Sequence, residues 1–198
     1  MTKKYELVLD DTISFWGWKL FRIRALISFG SVVVGDLGGY IQKEKNLSHD
    51  DNAWVCGDAK VWGNAEVCGD AKVWGNAEVC GDAKVWGNAE VWGNAKVCGN
   101  AKVCGDAEVC GNAKVCGDAE VCGNAKVSEL GDIIVFKNHW SSGRHFTYTK
   151  SNKMWKVGCF HGTGQELIEK AYRDSEKSGN HYKAYVDFVE SLEKLGNQ

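Results

Sequence analysis

The sequence predicts a mainly β protein, wound as a parallel stack of triangular coils and closed at each end by a cap. Thirteen hexapeptides fill residues 52–129 without interruption, from Asn52-Ala53-Trp54-Val55-Cys56-Gly57 to Asn124-Ala125-Lys126-Val127-Ser128-Glu129. A period this strict is the mark of a repeat architecture. Val recurs every six residues with Ala two places before it, and alternation of period two turns both to one side of a short extended segment. The 198-residue chain has no proline, which suits a stack whose backbone N–H groups all join a ladder.

Residues 1–51 are expected to form an N-terminal β cap and an irregular first coil. Alternating apolar residues place strands at 5–9 and 19–26, with a turn at 10–12 and a third strand at 31–34. The run Gly35-Asp36-Leu37-Gly38-Gly39-Tyr40-Ile41 reads as a tight turn leading into the first coil. Open stacks need such caps to hide an apolar end.

In residues 52–129 Gly followed by Asn or Asp supplies the corners, because these residues tolerate the positive φ of tight turns. Three sides make a coil of 18 residues, so the repeat holds about four and a third coils. Residue i then lies over i+18 at roughly 4.8 Å. In that register Asp never stacks on Asp. Opposite charges meet at Lys60/Glu78, Glu66/Lys84, Lys72/Glu90, Glu78/Lys96, Lys102/Glu120 and Glu108/Lys126, and like charges at Lys84/Lys102, Glu90/Glu108 and Lys96/Lys114.

Residues 130–198 read as a small α+β domain. Strands are expected at 132–136, 145–149 and 154–160. Thr163-Gly164-Gln165-Glu166 fits a capping box that opens a helix running to about residue 173. A second helix is expected from about residue 181, with Tyr185, Phe188, Val189 and Leu192 on its packed face.

Charge excludes some functions. The net charge is −2. The repeat carries seven Lys/Arg against eleven Asp/Glu, and the C-terminal segment ten against eight. Neither is the concentrated basic face that nonspecific nucleic-acid binding needs. The longest apolar stretches fall far short of a bilayer span. Eight of the nine cysteines share one repeat position with Trp, a slot that wants a soft apolar group. The odd count and the lack of a signal peptide at Met1 lead to an expectation of free thiols in a reducing, cytoplasmic setting.

The repeat Val-x-Gly-Asn/Asp-Ala-x, seen at Val61 with Ala65 and Val73 with Ala77, resembles the hexapeptide repeat of left-handed parallel β-helix proteins. The resemblance implies a left-handed parallel β-helix of about four to five triangular coils, a hand that ordinary crossover preference would not give. It also implies self-association, since these proteins commonly form trimers around parallel axes. The flanking motifs Lys19-Leu20-Phe21-Arg22-Ile23-Arg24-Ala25-Leu26, Gly35-Asp36-Leu37-Gly38-Gly39-Tyr40-Ile41 and Val157-Gly158-Cys159-Phe160-His161-Gly162-Thr163 resemble those of uncharacterised phage and prophage members. That implies a host bacterial cytoplasm.

Many β-helix proteins of this kind are acyltransferases using acetyl-coenzyme A, with a histidine general base beside a groove. None of the five histidines lies in residues 52–129, so such chemistry would have to sit in a cap, with His139 and His145 as the candidates. The expectation is therefore a non-catalytic protein without cofactor or metal. The cysteine rows Cys80/Cys98/Cys116 and Cys104/Cys122 are straight, whereas zinc sites gather ligands tetrahedrally. Cα spacing alone would permit disulfides along them, but the expected compartment argues against it.

The outward Trp62, Trp74, Trp86 and Trp92 form the first candidate binding surface, with Trp74 over Trp92 on one face. Exposed aromatics mark contact surfaces. Either a second copy, in a dimer or trimer, or another protein partner covers them, or the chain's own caps do. The second candidate surface lies in the C-terminal domain. There His139, Arg144, His145, Tyr148, Trp155 and His161 mix cationic and aromatic groups suited to a small nucleotide-like ligand. Two roles follow within the non-enzymatic reading: a self-associating scaffold, or a phage-encoded binder that antagonises a host defence component.

Overall fold

Most hydrogen bonds between coils run the same way along the chain. In the computed structural model, which describes residues 3–195, the residues before and after each rung valine donate their N–H groups to carbonyls of the following coil, while the valine N–H completes the parallel ladder in the other direction. Lys60 N reaches Ala77 O at 2.9 Å, and Lys84 N reaches Ala101 O at 2.9 Å. Thirteen two-residue strands, β4 (Trp54–Val55) through β16 (Lys126–Val127), carry these bonds. Their register is the expected 18 residues: Val55 lies on Val73, Val61 on Val79 and Val67 on Val85. The three ladders form the three faces of a parallel solenoid.

The repeat alanines and valines fill the axis, and all are buried. Each valine removed from water contributes roughly 1.5–3 kcal/mol before conformational entropy is subtracted. Corners demand glycine for two reasons at once. Gly87 has φ +73, and a Cβ there would sit 3.0 Å from Gly105 N of the next coil. On the edges, Asn88 donates to Asp106 at 2.8 Å and Asn100 to Asp118 at 2.9 Å. Four of the unlike-charge pairs close as ion pairs, Glu108 with Lys126 at 2.7 Å among them, whereas Lys60 Nζ donates to Asp58 O instead.

The first coil precedes the strict repeat. Strand β3 (Leu37–Ile41) runs parallel to the repeat, Ile41 on Val61, and Leu47 bridges to Val67. Eight residues rather than six separate Leu47 from Val55. Asp51, at φ +56, turns the extra length outward. The face that begins at β4 therefore has five rungs.

Two N-terminal expectations are corrected. Residues 10–12 form no turn. They lie within β1 (Tyr5–Phe15), at a register shift between Val8 and Thr12 against β2 (Trp18–Ala25). The turn falls instead at Trp16-Gly17, both with positive φ, as a two-residue hairpin loop requires. Residues 31–34 are not a strand. Phe29 and Val32 exchange backbone hydrogen bonds across Gly30 and Ser31, burying Val32 and leaving Val33 and Val34 exposed.

The C-terminal domain packs an antiparallel sheet, β17 (Ile133–Lys137), β18 (His145–Thr149), β19 (Met154–Val157) and β20 (Phe160–Thr163), against α1 (Gly164–Asp174) and α2 (Glu176–Leu195). The expected strand at 154–160 divides at Gly158, φ +57. Thr163 caps α1, its Oγ1 accepting from Glu166 N at 3.3 Å. Helix α2 starts at Glu176, ahead of the expected 181, and buries Gly179, Val186 and Val189. Phe188 and Leu192 are exposed, since the buried face of α2 runs through Gly179, Val186 and Val189 instead.

The forward bias of the ladder gives each end of the solenoid a different deficit, and each cap answers its own. The first coil has spare carbonyls. There the Lys4 ammonium donates to Ala53 O at 2.9 Å, Tyr5 Oη to Leu47 O at 2.8 Å, and Asn46 Nδ2 to Ala65 O at 2.8 Å. The last coil has spare N–H groups. Thr147 Oγ1 accepts from Glu120 N at 2.9 Å, Ser151 Oγ from Lys126 N at 2.8 Å, and Asp132 Oδ2 from Ser128 N at 2.7 Å. Against the opposing pull of burial, the Ser128 and Glu129 N–H donors hold the Asp132 carboxyl below its ordinary range. Among the described residues no helix is long and apolar enough to cross a membrane.

Candidate functional site

Docking of the C-terminal domain creates a cleft against the face that carries Trp86. The contact that fixes it is steric. His161, on β20, lies against the corner Gly123, where a Cβ would come within 2.5 Å of its Cε1. Asn152 Nδ2 adds a hydrogen bond to Asn124 Oδ1 at 3.1 Å. The cleft encloses about 780 Å³. The solenoid supplies Trp86, Lys102, Asp118, Glu120 and the Cys104–Cys122 disulfide, while the domain supplies Arg144, His145, Lys156, Cys159 and His161.

Its charges are arranged in pairs with one left over. Glu120 takes Lys102 Nζ at 2.8 Å and stands 4.0 Å from Lys156 Nζ. Asp118 takes His145 Nδ1 at 2.8 Å and Asn100 Nδ2 at 2.9 Å. Among the described residues Arg144 has no carboxylate partner, so its guanidinium is the cation at the mouth that is free to take an anion. Trp86, half-buried, offers a flat apolar wall.

Of the six residues expected to bind in the C-terminal domain, the cleft unites Arg144, His145 and His161. The other three lie outside it. Tyr148 and Trp155 are core residues, buried with Phe146 and Leu167 beneath α1 and α2. Burial first, then the hydrogen bond and charge of Glu193, push the Tyr148 phenol well up. Both lie in a hairpin whose alternation turns them to the helices. His139 is remote, its ring 5.4 Å from Trp140 and its Nδ1 3.3 Å from Tyr185 Oη. His139 and His145 therefore do not share a site.

The four tryptophans separate likewise. Trp62 is buried by the N-terminal hairpin, packed edge-on to Phe15 at 5.3 Å with Leu20 and Tyr40 alongside, so it offers no outer surface. Trp74 and Trp92 stack at 5.0 Å with planes 1° apart, half-buried, and Trp74 borders a cavity shared with Gly30, Ser31 and Val32 of the N-terminal cap. Only Trp86 enters the cleft.

Neither a protein-family model nor a curated protein matches this chain. The chemistry of the cleft itself therefore carries its assignment.

Sequence reasoning missed Lys102, Asp118, Glu120, Cys104 and Cys122 as cleft residues, because each occupies an ordinary repeat position. The available signal was positional: all lie in the last two coils, next to the cap. The expectation of free thiols throughout is corrected at one pair. Cys104 and Cys122 are joined, their Cα atoms 4.6 Å apart, since parallel coils hold i and i+18 within disulfide reach. Among the described residues no cluster of three or more His, Cys, Asp or Glu side chains is arranged to hold a metal.

Proposed function

We propose that the chain is a non-catalytic binding protein whose cleft takes a compact anion bearing a flat ring, of the nucleotide class. The convergence of Arg144, Lys156 and His161 with the ring of Trp86 in one cleft carries this reading. A phosphate is taken by forked or charge-assisted donors, and a base gains by stacking on an aromatic plane whatever its sequence. The resemblance of the flanking motifs to phage proteins supplies a biological role for such a binder. It would sequester a nucleotide-like ligand, or mask a protein, to antagonise a host defence in the bacterial cytoplasm. The test is a thermal-shift screen of nucleoside phosphates against coenzyme A. A rise in melting temperature with nucleoside phosphates, lost in Arg144→Gln/Lys156→Gln, supports the reading. A response to coenzyme A alone favours an acyltransferase, for which the His145–Asp118 pair at 2.8 Å would supply an oriented base.

A second reading rests on a different face. The Trp74–Trp92 stack favours self-association, with the flat rings of one copy against another. Native mass measurement tests it: a dimer or trimer that falls to monomer in Trp74→Ser/Trp92→Ser supports a scaffold, and a monomeric parent protein removes it.

A further inference from the structure

On the face that carries Trp62, two thiols stand closer than any non-bonded sulfur pair would choose. Cys98 Sγ lies 2.7 Å from Cys116 Sγ, the Cys98 thiol donating. Their rungs are adjacent and in register, Val97 on Val115. The same two coils are joined on the neighbouring face by Cys104–Cys122, which shows that this spacing accepts a disulfide. The third face has Cys110 above Ser128 and offers no third link.

The members of the pair are unequal. Cys116 is exposed and Cys98 half-buried. Burial first, then the hydrogen bond to Cys116, pushes the Cys98 thiol up to about 12. Cys98 thus holds its proton and directs it at the Cys116 sulfur, which leaves exposed Cys116 as the member that a small disulfide can reach. Cys80, the next sulfur in the row, packs against the cluster of Leu20, Tyr40 and Trp62.

We propose that Cys98 and Cys116 form a reactive dithiol that closes to a second cross-coil disulfide by exchange with a low-molecular-weight disulfide. The Cys116 thiolate attacks one sulfur of that compound and expels the other as a thiolate, leaving a mixed disulfide on Cys116. Cys98 then gives up its proton and attacks the Cys116 sulfur. The second small thiolate leaves, taking up a proton. Two protein thiols are oxidised and one small disulfide is reduced to two thiols. Closure locks the last coil, on which the C-terminal domain sits, to its neighbour on two faces. A small dithiol reverses it.

The test uses the full chain and oxidised glutathione. After incubation the protein is alkylated with iodoacetamide without reduction and mapped by peptide mass. The expected result is a Cys98–Cys116 linked peptide, lighter by two hydrogens, with Cys116 alkylation reduced about tenfold or more and restored by dithiothreitol. Cys98→Ser should instead trap one glutathione on Cys116. Ser128 occupies the equivalent repeat position, so serine is accommodated there. Alkylation of both Cys98 and Cys116 in the oxidised parent protein, while exposed Cys159 takes up glutathione, overturns the proposal. So does a link from Cys98 to Cys80.

Discussion

The Lys4 ammonium sits 2.9 Å from the Ala53 carbonyl oxygen, at the end of the solenoid where carbonyls have no further coil to accept from. A lysine buried against backbone oxygens answers a need created 49 residues away by a ladder that donates mostly forward. Lys4→Met keeps the stem and removes the donor. It leaves the carbonyls of Ala53, Asp50 and Asp51 short of a partner and is expected to cost about 1–3 kcal/mol, read from chemical denaturation.

Alkali separates two opposed contributions. Burial, partly offset by Asp51, Asp50 and Asp70, lowers Lys4 to about 8 from an ordinary 10.5. From pH 8 to 10.5 the unfolded chain binds more protons at this residue, so its contribution to stability rises with pH. Burial raises the thiols of Cys56, Cys68, Cys80, Cys98 and Cys110 above their ordinary 9. Their contribution is full below pH 9 and is lost above it, as the unfolded chain ionises first. Thermal melts from pH 7 to 10.5 should therefore fall more steeply in Lys4→Met than in the parent protein. Parallel curves would refute the assignment.

Glycine corners differ by what lies over them. Gly87 and Gly117 both have positive φ, but a Cβ at 87 would meet Gly105 N at 3.0 Å whereas one at 117 meets nothing within 4 Å. Gly117→Ala is expected to cost about 1–2 kcal/mol, for backbone conformation alone. Gly87→Ala should cost more, since the coils must also part. Equal losses would show that stacking is not what the corner glycine protects.

The Cys104–Cys122 disulfide closes a loop of 18 residues. Cys104→Ser/Cys122→Ser is expected to lose about 3 kcal/mol in the chain-entropy account, measured by denaturant unfolding without reductant. With dithiothreitol present, the parent protein and the variant should converge.

The solenoid is legible because each hexapeptide repeats one instruction: Ala and Val inward, Gly at the corner, Asn or Asp at the edge. Pairings such as Glu66 with Lys84 and Asn100 with Asp118 follow from the 18-residue period alone. What escapes is everything decided by long-range packing. Nothing local to Trp62 distinguishes it from Trp86, yet a hairpin 40 residues earlier buries one and the C-terminal domain leaves the other beside a cleft. Tyr148 and Trp155 alternate with Thr147 and Lys156, and only the helices of residues 164–195 decide which set is core. The same period stacks the thiols of Cys104 and Cys122 correctly. The rung geometry fixes only that they lie within disulfide reach.

The cleft beside Trp86 is the central claim, and calorimetric titration with adenosine diphosphate tests it most directly. Saturable binding at one site per chain is expected, weakened about tenfold or more in Arg144→Gln, as loss of a charge-assisted hydrogen bond requires, and unchanged in Trp74→Ser. No heat of binding with the parent protein, or equal affinity in Arg144→Gln, would contradict it.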